Sequence, residues 1–278
     1  MYLTCNLYSE LWLPYLKLIK KYLEFSFDIY LCTDIDINPD LLKEIKKYNI
    51  KILIYGHLSN ISSGGNLYKR ITYYLNNINN NNIFVNIDDM LPSAIIKEKS
   101  INEIVDILNK NDNIKIIKLS TSSEPYTGSI VQYNSKKFTM ANTLKPDSYI
   151  FNVQPFCIKK NFFIDFLSFC ELNYKKYNIK HLNGGLEILG GYYFKNNHPN
   201  FIALRIVENI CSFYGEPYGV VKAGVIYKNS DKILKDRENI DLKLYSKNTI
   251  FEVNEDELNR FGEHNKNNLL KHLKGYKN

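Results

Sequence analysis

Through its first 120 residues the chain switches repeatedly between two spacings of apolar side chains, and few folds accommodate that order. Strand-like runs stand at MYLTCNLY (1–8), FDIYLCTD (27–34), IKILIYG (50–56), IFVNIDDM (83–90) and IKIIKLS (114–120). Between them lie helix-like stripes. ELWLPYLKLIKKYLEF (10–25) follows Ser9 as N-cap and carries Pro14 in its opening turns. PDLLKEIKKYN (39–49) follows Asn38 or Asp40 as cap, and NLYKRITYYLNNI (66–78) and PSAIIKEKSINEIVDILNKN (92–111) complete the set. Strands that are continuously apolar rather than alternating are buried on both faces, so the pattern predicts an α/β fold with a doubly wound, mostly parallel sheet.

After residue 120 the pattern changes. Short strand-like pieces occur in SIVQYNSKKFTMAN (129–142) and SYIFNVQPFCI (148–158), followed by a long helix, KKNFFIDFLSFCELNYKKY (159–177). A Gly-rich turn, HLNGG (181–185), opens LEILGGYYFKNN (186–197), and short strands follow at 200–207, 218–224 and 225–229. A polar tail from Asn254 ends in a helix with Lys and His. Linker composition and internal repeats are lacking, which predicts one domain over 1–278. Residues 1–120 are expected to form one functional half, and 121–278 a second, mixed half with the C-terminal helix.

At 45% hydrophobic the 278 residues suffice for a proper core, so disorder is excluded. The net charge of +7 is spread along the chain, a mild pull toward anions. No basic helix stripe, zinc-knuckle spacing or RNP-like aromatic strand accompanies it, which speaks against nucleic acid. Cys5, Cys32, Cys157, Cys170 and Cys211 are odd in number and form no C-x-x-C pair, so they are expected to be buried thiols in a reducing compartment. A strand at the start and no apolar run of about 20 residues predict a cytoplasmic protein without signal peptide or transmembrane segment. The basic last turn leaves peripheral contact with anionic lipid open.

The question the sequence poses is why a buried strand runs into two carboxylates, Asp88 and Asp89. In an open parallel sheet, ligands bind beyond the carboxyl ends of the strands. Adjacent carboxylates repel unless one is protonated or a cation lies between them, and hard ions such as Mg²⁺ or Mn²⁺ take one or two carboxylates together with phosphate oxygens. The bland alternative is that either Asp caps the next helix. Asp34 also ends an apolar strand on the same predicted edge, however, so three acids gather there. Between strands three and four, Gly64 and Gly65 in SSGGNLYKR allow close backbone approach, the helix start offers free amides to an anion, and Arg70 can clamp a phosphate. Neither a P-loop nor a G-x-G-x-x-G is present, which excludes those two nucleotide-binding patterns.

The stretches LYSELWLPYLKLIKKYLEFSFDIYLCTD, SSGGNLYKRITYYLNNINNNNIFVNIDDM and NVQPFCIKKNFFIDFL resemble bacterial and viral sugar transferases with the GT-A nucleotide-diphospho-sugar fold. In that superfamily a Gly-containing loop, a helix bearing an Arg and an apolar strand ending in a "DxD" element follow one another. The resemblance implies a GT-A-like Rossmann-type fold and transfer of a hexosyl or related sugar, as in polysaccharide biosynthesis. The donor would be a UDP- or GDP-sugar and the acceptor a hydroxyl of a glycan or glycolipid. It places the Mn²⁺ or Mg²⁺ on Asp88 and Asp89, the nucleoside on Asp34 and the phosphate on Arg70. The element here reads Asn86-Ile87-Asp88-Asp89, with Asn where the first Asp of D-x-D would stand.

Inverting transfer needs a base for the acceptor hydroxyl. Glu187, just after Gly184-Gly185, is the candidate, in a region where the family commonly has an acid; an acid near a helix start is equally an ordinary dipole partner. Gln154 could bond a sugar, and Tyr192, Tyr193 and Phe194 could stack on one, whereas Trp12 is expected in the core. His181 and His198 have no metal-ligand partner at helical spacing. Glu124, Tyr126 and Gly128 lie in a loop where such folds admit the acceptor, and Cys157 and Cys170 have no nucleophile context. Two rivals stay open. A nucleotidyltransferase would need a Gly-rich basic loop after the first strand, and a catalytically inactive sugar-binding or assembly protein would keep the sheet alone.

Overall fold

The computed structural model describes residues 1–34, 36–56, 65–119, 129–143, 150–177, 182–197, 200–208, 210–214, 221–222, 225–226 and 228–242. The first strand, β1 (Tyr2–Leu3), is shorter than its apolar run, because the chain turns into a 3₁₀ segment at Asn6–Leu11 once Thr4 N–H has bonded to the Cys32 carbonyl. Helix α1 (Trp12–Tyr22) therefore starts after the predicted Ser9 cap, with Pro14 in its first turn, where a missing N–H leaves no bond unmade. Then come β2 (Tyr30–Thr33), α2 (Pro39–Lys46), β3 (Lys51–Ile54), α3 (Gly65–Asn76) and β4 (Asn82–Ile87). Asn38 caps α2, its side-chain oxygen accepting from Asp40 N–H at 2.9 Å, and Pro39 is the first helical residue.

Helix α4 (Glu98–Lys110) begins later than its sequence pattern suggests. Leu91–Pro92 form a short strand, β5, paired with a strand from far along the chain, Phe213–Tyr214. Next are β6 (Ile114–Lys118), the hairpin of β7 (Ile130–Tyr133) and β8 (Lys136–Met140), and β9 (Phe156–Lys159). Within the run expected as a strand from 148, the described residues 150–155 are not strand and β9 begins at Phe156. Before it, Asn152 accepts the Gln154 N–H at 3.2 Å and Pro155 has no N–H to give. The remaining elements are α5 (Lys160–Asn173), α6 (Leu182–Asn197), β10 (Ile202–Ile206), β11 (Phe213–Tyr214), the hairpin β12 (Val221–Lys222) and β13 (Val225–Ile226), and α7 (Lys228–Glu238). The polar sequence of α7 gave little sign of a helix, since among its residues 231–238 Leu234 alone belongs to the buried core. The predicted C-terminal helix lies outside the described residues.

The main sheet has nine strands in the order β3-β2-β1-β4-β9-β6-β10-β8-β7. The first four are parallel. Strand β9 is antiparallel between β4 and β6, while β10 is parallel to β6 and antiparallel to β8. The fold is thus mixed α/β, with strands of the second half extending the same sheet. Two apolar layers cover its faces. One holds α1, α2, α4 and α7, with Trp12, Leu16, Ile45, Ile104 and Leu234 buried; the other holds α3, α5 and α6, with Tyr74, Phe163, Phe166 and Phe194. No helix among the described residues is long and apolar enough to cross a membrane.

The α6 layer depends on one close approach. A Cβ placed on Gly190 would stand 2.5 Å from Phe151 Cβ, and the Phe151 ring is itself packed on Phe156, Phe163 and Phe166 at 5.1, 5.7 and 4.7 Å. Ala is favoured over Gly inside a helix by about 1 kcal/mol, but overpacking costs about 1–3 kcal/mol. Since the neighbour here is main-body carbon wedged among rings, the clash wins. Gly190→Ala should lower stability in urea or thermal unfolding; a variant as stable as the wild type would rule out this contact.

Candidate active site

The carboxyl ends of β1, β2 and β4 are neighbours on one edge of the sheet, and the residue after each strand is polar: Thr4, Asp34 and Asp88. Beyond β4 the chain makes a tight turn, closed by Met90 N–H bonding to the Ile87 carbonyl at 3.3 Å. Asn86, 1% exposed, clamps it by donating from Nδ2 to the Met90 carbonyl at 2.8 Å. An Asp at 86 has no hydrogen to give that carbonyl. The departure from D-x-D therefore has a local cause: position 86 holds the turn that presents the two acids.

Asp88 and Asp89 are half-buried, and both sit deep enough in protein that water solvates their charges poorly. Burial pushes Asp88 up to about 7, against the opposing pull of the Thr4 hydroxyl, the Asp88 and Cys5 amides and the Arg70 guanidinium. Asp89 is pushed well above the carboxylate range, by burial first and the Asp88 charge second. Thr4 Oγ1 donates to Asp88 Oδ2 at 3.1 Å, whereas Asp89 Oδ1 is a buried acceptor with no hydrogen-bond donor.

Arg70 projects from the second turn of α3, and its Nη1 lies 3.4 Å from Asp34 Oδ2, both side chains 13% exposed. One turn on, the Tyr74 hydroxyl donates to the Thr33 carbonyl and so fastens α3 to the end of β2. Arg70 Nε has no acceptor. Buried polar groups are nearly always paired, so unsatisfied atoms on Asn86, Asp89 and Arg70 at one edge make that edge the candidate site.

The structure thus gathers Asp34, Arg70, Asp88 and Asp89. Gly65 is the first residue of α3, while Gly64 and most of its loop lie outside the described residues. Glu187 is half-buried in the second turn of α6, since the helix already begins at Leu182 and runs through the predicted Gly184-Gly185 turn. It belongs to the layer of α3, α5 and α6. Tyr193 and Phe194 are core residues packed on Phe162, and Tyr192 stacks on Tyr177 at 4.4 Å. Gln154 accepts from Asn152 Nδ2 at 3.3 Å. His181, His198, Glu124, Tyr126 and Gly128 lie outside the described residues. None of the five cysteines is in a disulfide, and burial raises Cys32 and Cys157 to about 12, which keeps them as thiols.

Sequence reasoning missed Thr4. Its one legible signal was position, since it directly follows the first strand on the edge where Asp34 and Asp88 follow theirs. Trp12 is fully buried as expected, yet it also donates from Nε1 to Thr4 Oγ1 at 2.9 Å. A cavity of about 550 Å³ opens at the opposite, amino-terminal edge of the sheet, between the starts of β1 to β4, and none of the clustered charges lines it.

Two adjacent carboxylates with a free oxygen fit a hard divalent cation that takes its other ligands from phosphate and water. The described residues contain no group of three or more His, Cys, Asp or Glu able to hold an ion by themselves.

No protein-family model and no curated protein sequence matches the chain. Among solved structures, the crystal structure of S. aureus TarS 1-349 matches with 12% identity and a TM-score of 0.42, over 76% of this chain and 58% of that one. The chain therefore spans less than two thirds of that protein, and a likeness so distant assigns it neither substrate nor reaction.

The raised carboxyls link folding to pH. Both bind protons more tightly folded than unfolded, so in metal-free protein stability is full below the ordinary carboxylate value of 3.8 and is lost as pH rises through about 7 for Asp88. Between about pH 5 and pH 8 the melting temperature should fall with rising pH. Asp88→Asn should flatten that slope and melt higher than the wild type at the alkaline end. An unaltered slope would show these acids to be ordinarily solvated.

Proposed function

We propose that the protein is a glycosyltransferase that moves a sugar from a nucleotide-diphosphate donor to a hydroxyl of a glycan or glycolipid. The observation that carries this reading is the pair Asp88-Asp89, poorly solvated and partly unsatisfied, beside the Asp34–Arg70 pair at the carboxyl edge of a parallel sheet. Such an edge is where α/β sheets receive nucleotides.

In this reading Asp88 and Asp89 are the residues that would hold Mn²⁺ or Mg²⁺. The ion, when bound, offsets negative charge on the departing nucleoside diphosphate. Asp34 accepts from the nucleoside, and Arg70, braced by Asp34 and by the Tyr74 bond one turn on, presents its unpartnered Nε–H to a phosphate oxygen. The start of α3 at Gly65 adds backbone amides to the same anion. Glu187 takes the proton of the acceptor hydroxyl if configuration inverts, which requires the acceptor to reach it across the α3–α6 side.

Asp88→Ala and Asp89→Ala should each cut nucleotide-sugar hydrolysis and transfer at least about a hundredfold while far-UV dichroism stays unchanged, since they remove charge from the leaving-group side. A thermal-shift panel of UDP- and GDP-sugars with Mn²⁺ identifies the donor, because a ligand that binds only folded protein raises its melting temperature. Wild-type activity in both alanine variants would refute the assignment. Binding without turnover would instead favour an inactive sugar-binding protein.

A further inference from the structure

The buried hydrogen-bond chain behind Asp88 has a direction. Trp12 Nε1 can only donate, and it donates to Thr4 Oγ1 at 2.9 Å with both residues buried, 0% and 2% exposed. The Thr4 hydroxyl has a single proton of its own, and two acceptors are within reach: Asp88 Oδ2 at 3.1 Å and the Cys5 carbonyl at 3.4 Å. The carboxylate is both nearer and charged, so it takes the proton.

We propose that Thr4 and Trp12 are positioning residues for Asp88: their hydrogen-bond chain engages Oδ2 and thereby turns Oδ1 toward an incoming divalent cation. The inference rests on the functional reading above and deepens it. Both mounts are rigid. Thr4 is tied to β2 through the Cys32 carbonyl, and Trp12 is the first residue of α1, packed in the core below the sheet. The chain is also electrically neutral. A Lys or Arg in place of Thr4 would orient the carboxylate equally well but would cancel the charge needed for the cation, whereas a hydroxyl backed by an indole N–H orients it and leaves its charge available. Outer partners that orient a metal-ligating carboxylate in this way typically change metal affinity by about 10- to 100-fold when removed.

Trp12 is the sole tryptophan of the chain, so ¹⁵N-labelled protein shows a single indole N–H signal that comes from this hydrogen-bond chain. Thr4→Val and Asp88→Asn should each move that signal in metal-free protein, and Thr4→Ser should leave it in place. Calorimetry with Mn²⁺ alone and with Mn²⁺ plus UDP should show Thr4→Val binding about 10- to 100-fold more weakly than the wild type, and Thr4→Ser binding as the wild type does. Should Thr4→Val fail to fold, Trp12→Phe removes the N–H, keeps most of the ring, and is read by the same Mn²⁺ titration.

Equal Mn²⁺ affinity in the wild type and Thr4→Val overturns the positioning role and leaves the site assignment standing. An indole signal insensitive to Asp88→Asn overturns the chain itself. If the wild type binds Mn²⁺ in neither titration, the functional reading falls, and the positioning role falls with it, since no cation is then oriented.

Discussion

Two carboxylates on consecutive residues, set where water reaches them poorly, are the condition around which this molecule is arranged. Each has its proton affinity raised by burial, and Asp89 is raised further by the charge next to it. A buried charge is tolerated when hydrogen bonds and opposite charge surround it. Here the compensation is incomplete: Thr4, two amides and Arg70 support Asp88, but one Asp89 oxygen has nothing. The remaining deficit raises the affinity of both carboxyls for a proton.

The supports come from separate parts of the fold, which is why the sheet order matters. Strand β1 lies between β2 and β4, so Thr4 stands beside both Asp34 and Asp88. Helix α3 supplies Arg70 and, through Tyr74, ties its own position to the end of β2. The cluster is therefore held by backbone elements already fixed by two apolar layers, and side-chain freedom contributes little to its geometry. The cavity at the other edge shares the same strands but none of this charge.

Much of the architecture was legible because periodicity is a local property. The runs ending in Asp34 and Asp88, the Asn38 cap and the helix carrying Arg70 could all be placed from spacing. What escaped the sequence depends on distant partners. Leu91–Pro92 are strand, ahead of a later α4, because they pair with Phe213–Tyr214. The turn expected at Gly184-Gly185 lies inside α6, the helix whose Gly190 fits closely against Phe151. Thr4 looked like strand filler, since its value lies in Trp12 on one side and Asp88 on the other. Asn86 looked like a failed D-x-D, when its amide holds the Met90 carbonyl and an acid would not.

Strand β9 has one more implication. It lies antiparallel between β4 and β6, satisfying the inner edges of both through pairs such as Ile83↔Ile158 and Ile117↔Cys157. A ribosome delivers β4 and β6 long before β9, so the nascent chain carries two apolar strands with unmated amides and carbonyls until residues 156–159 emerge. Acquisition of the native sheet is consequently a late event in biosynthesis, and any shortened product ending before β9 would be a template for self-association.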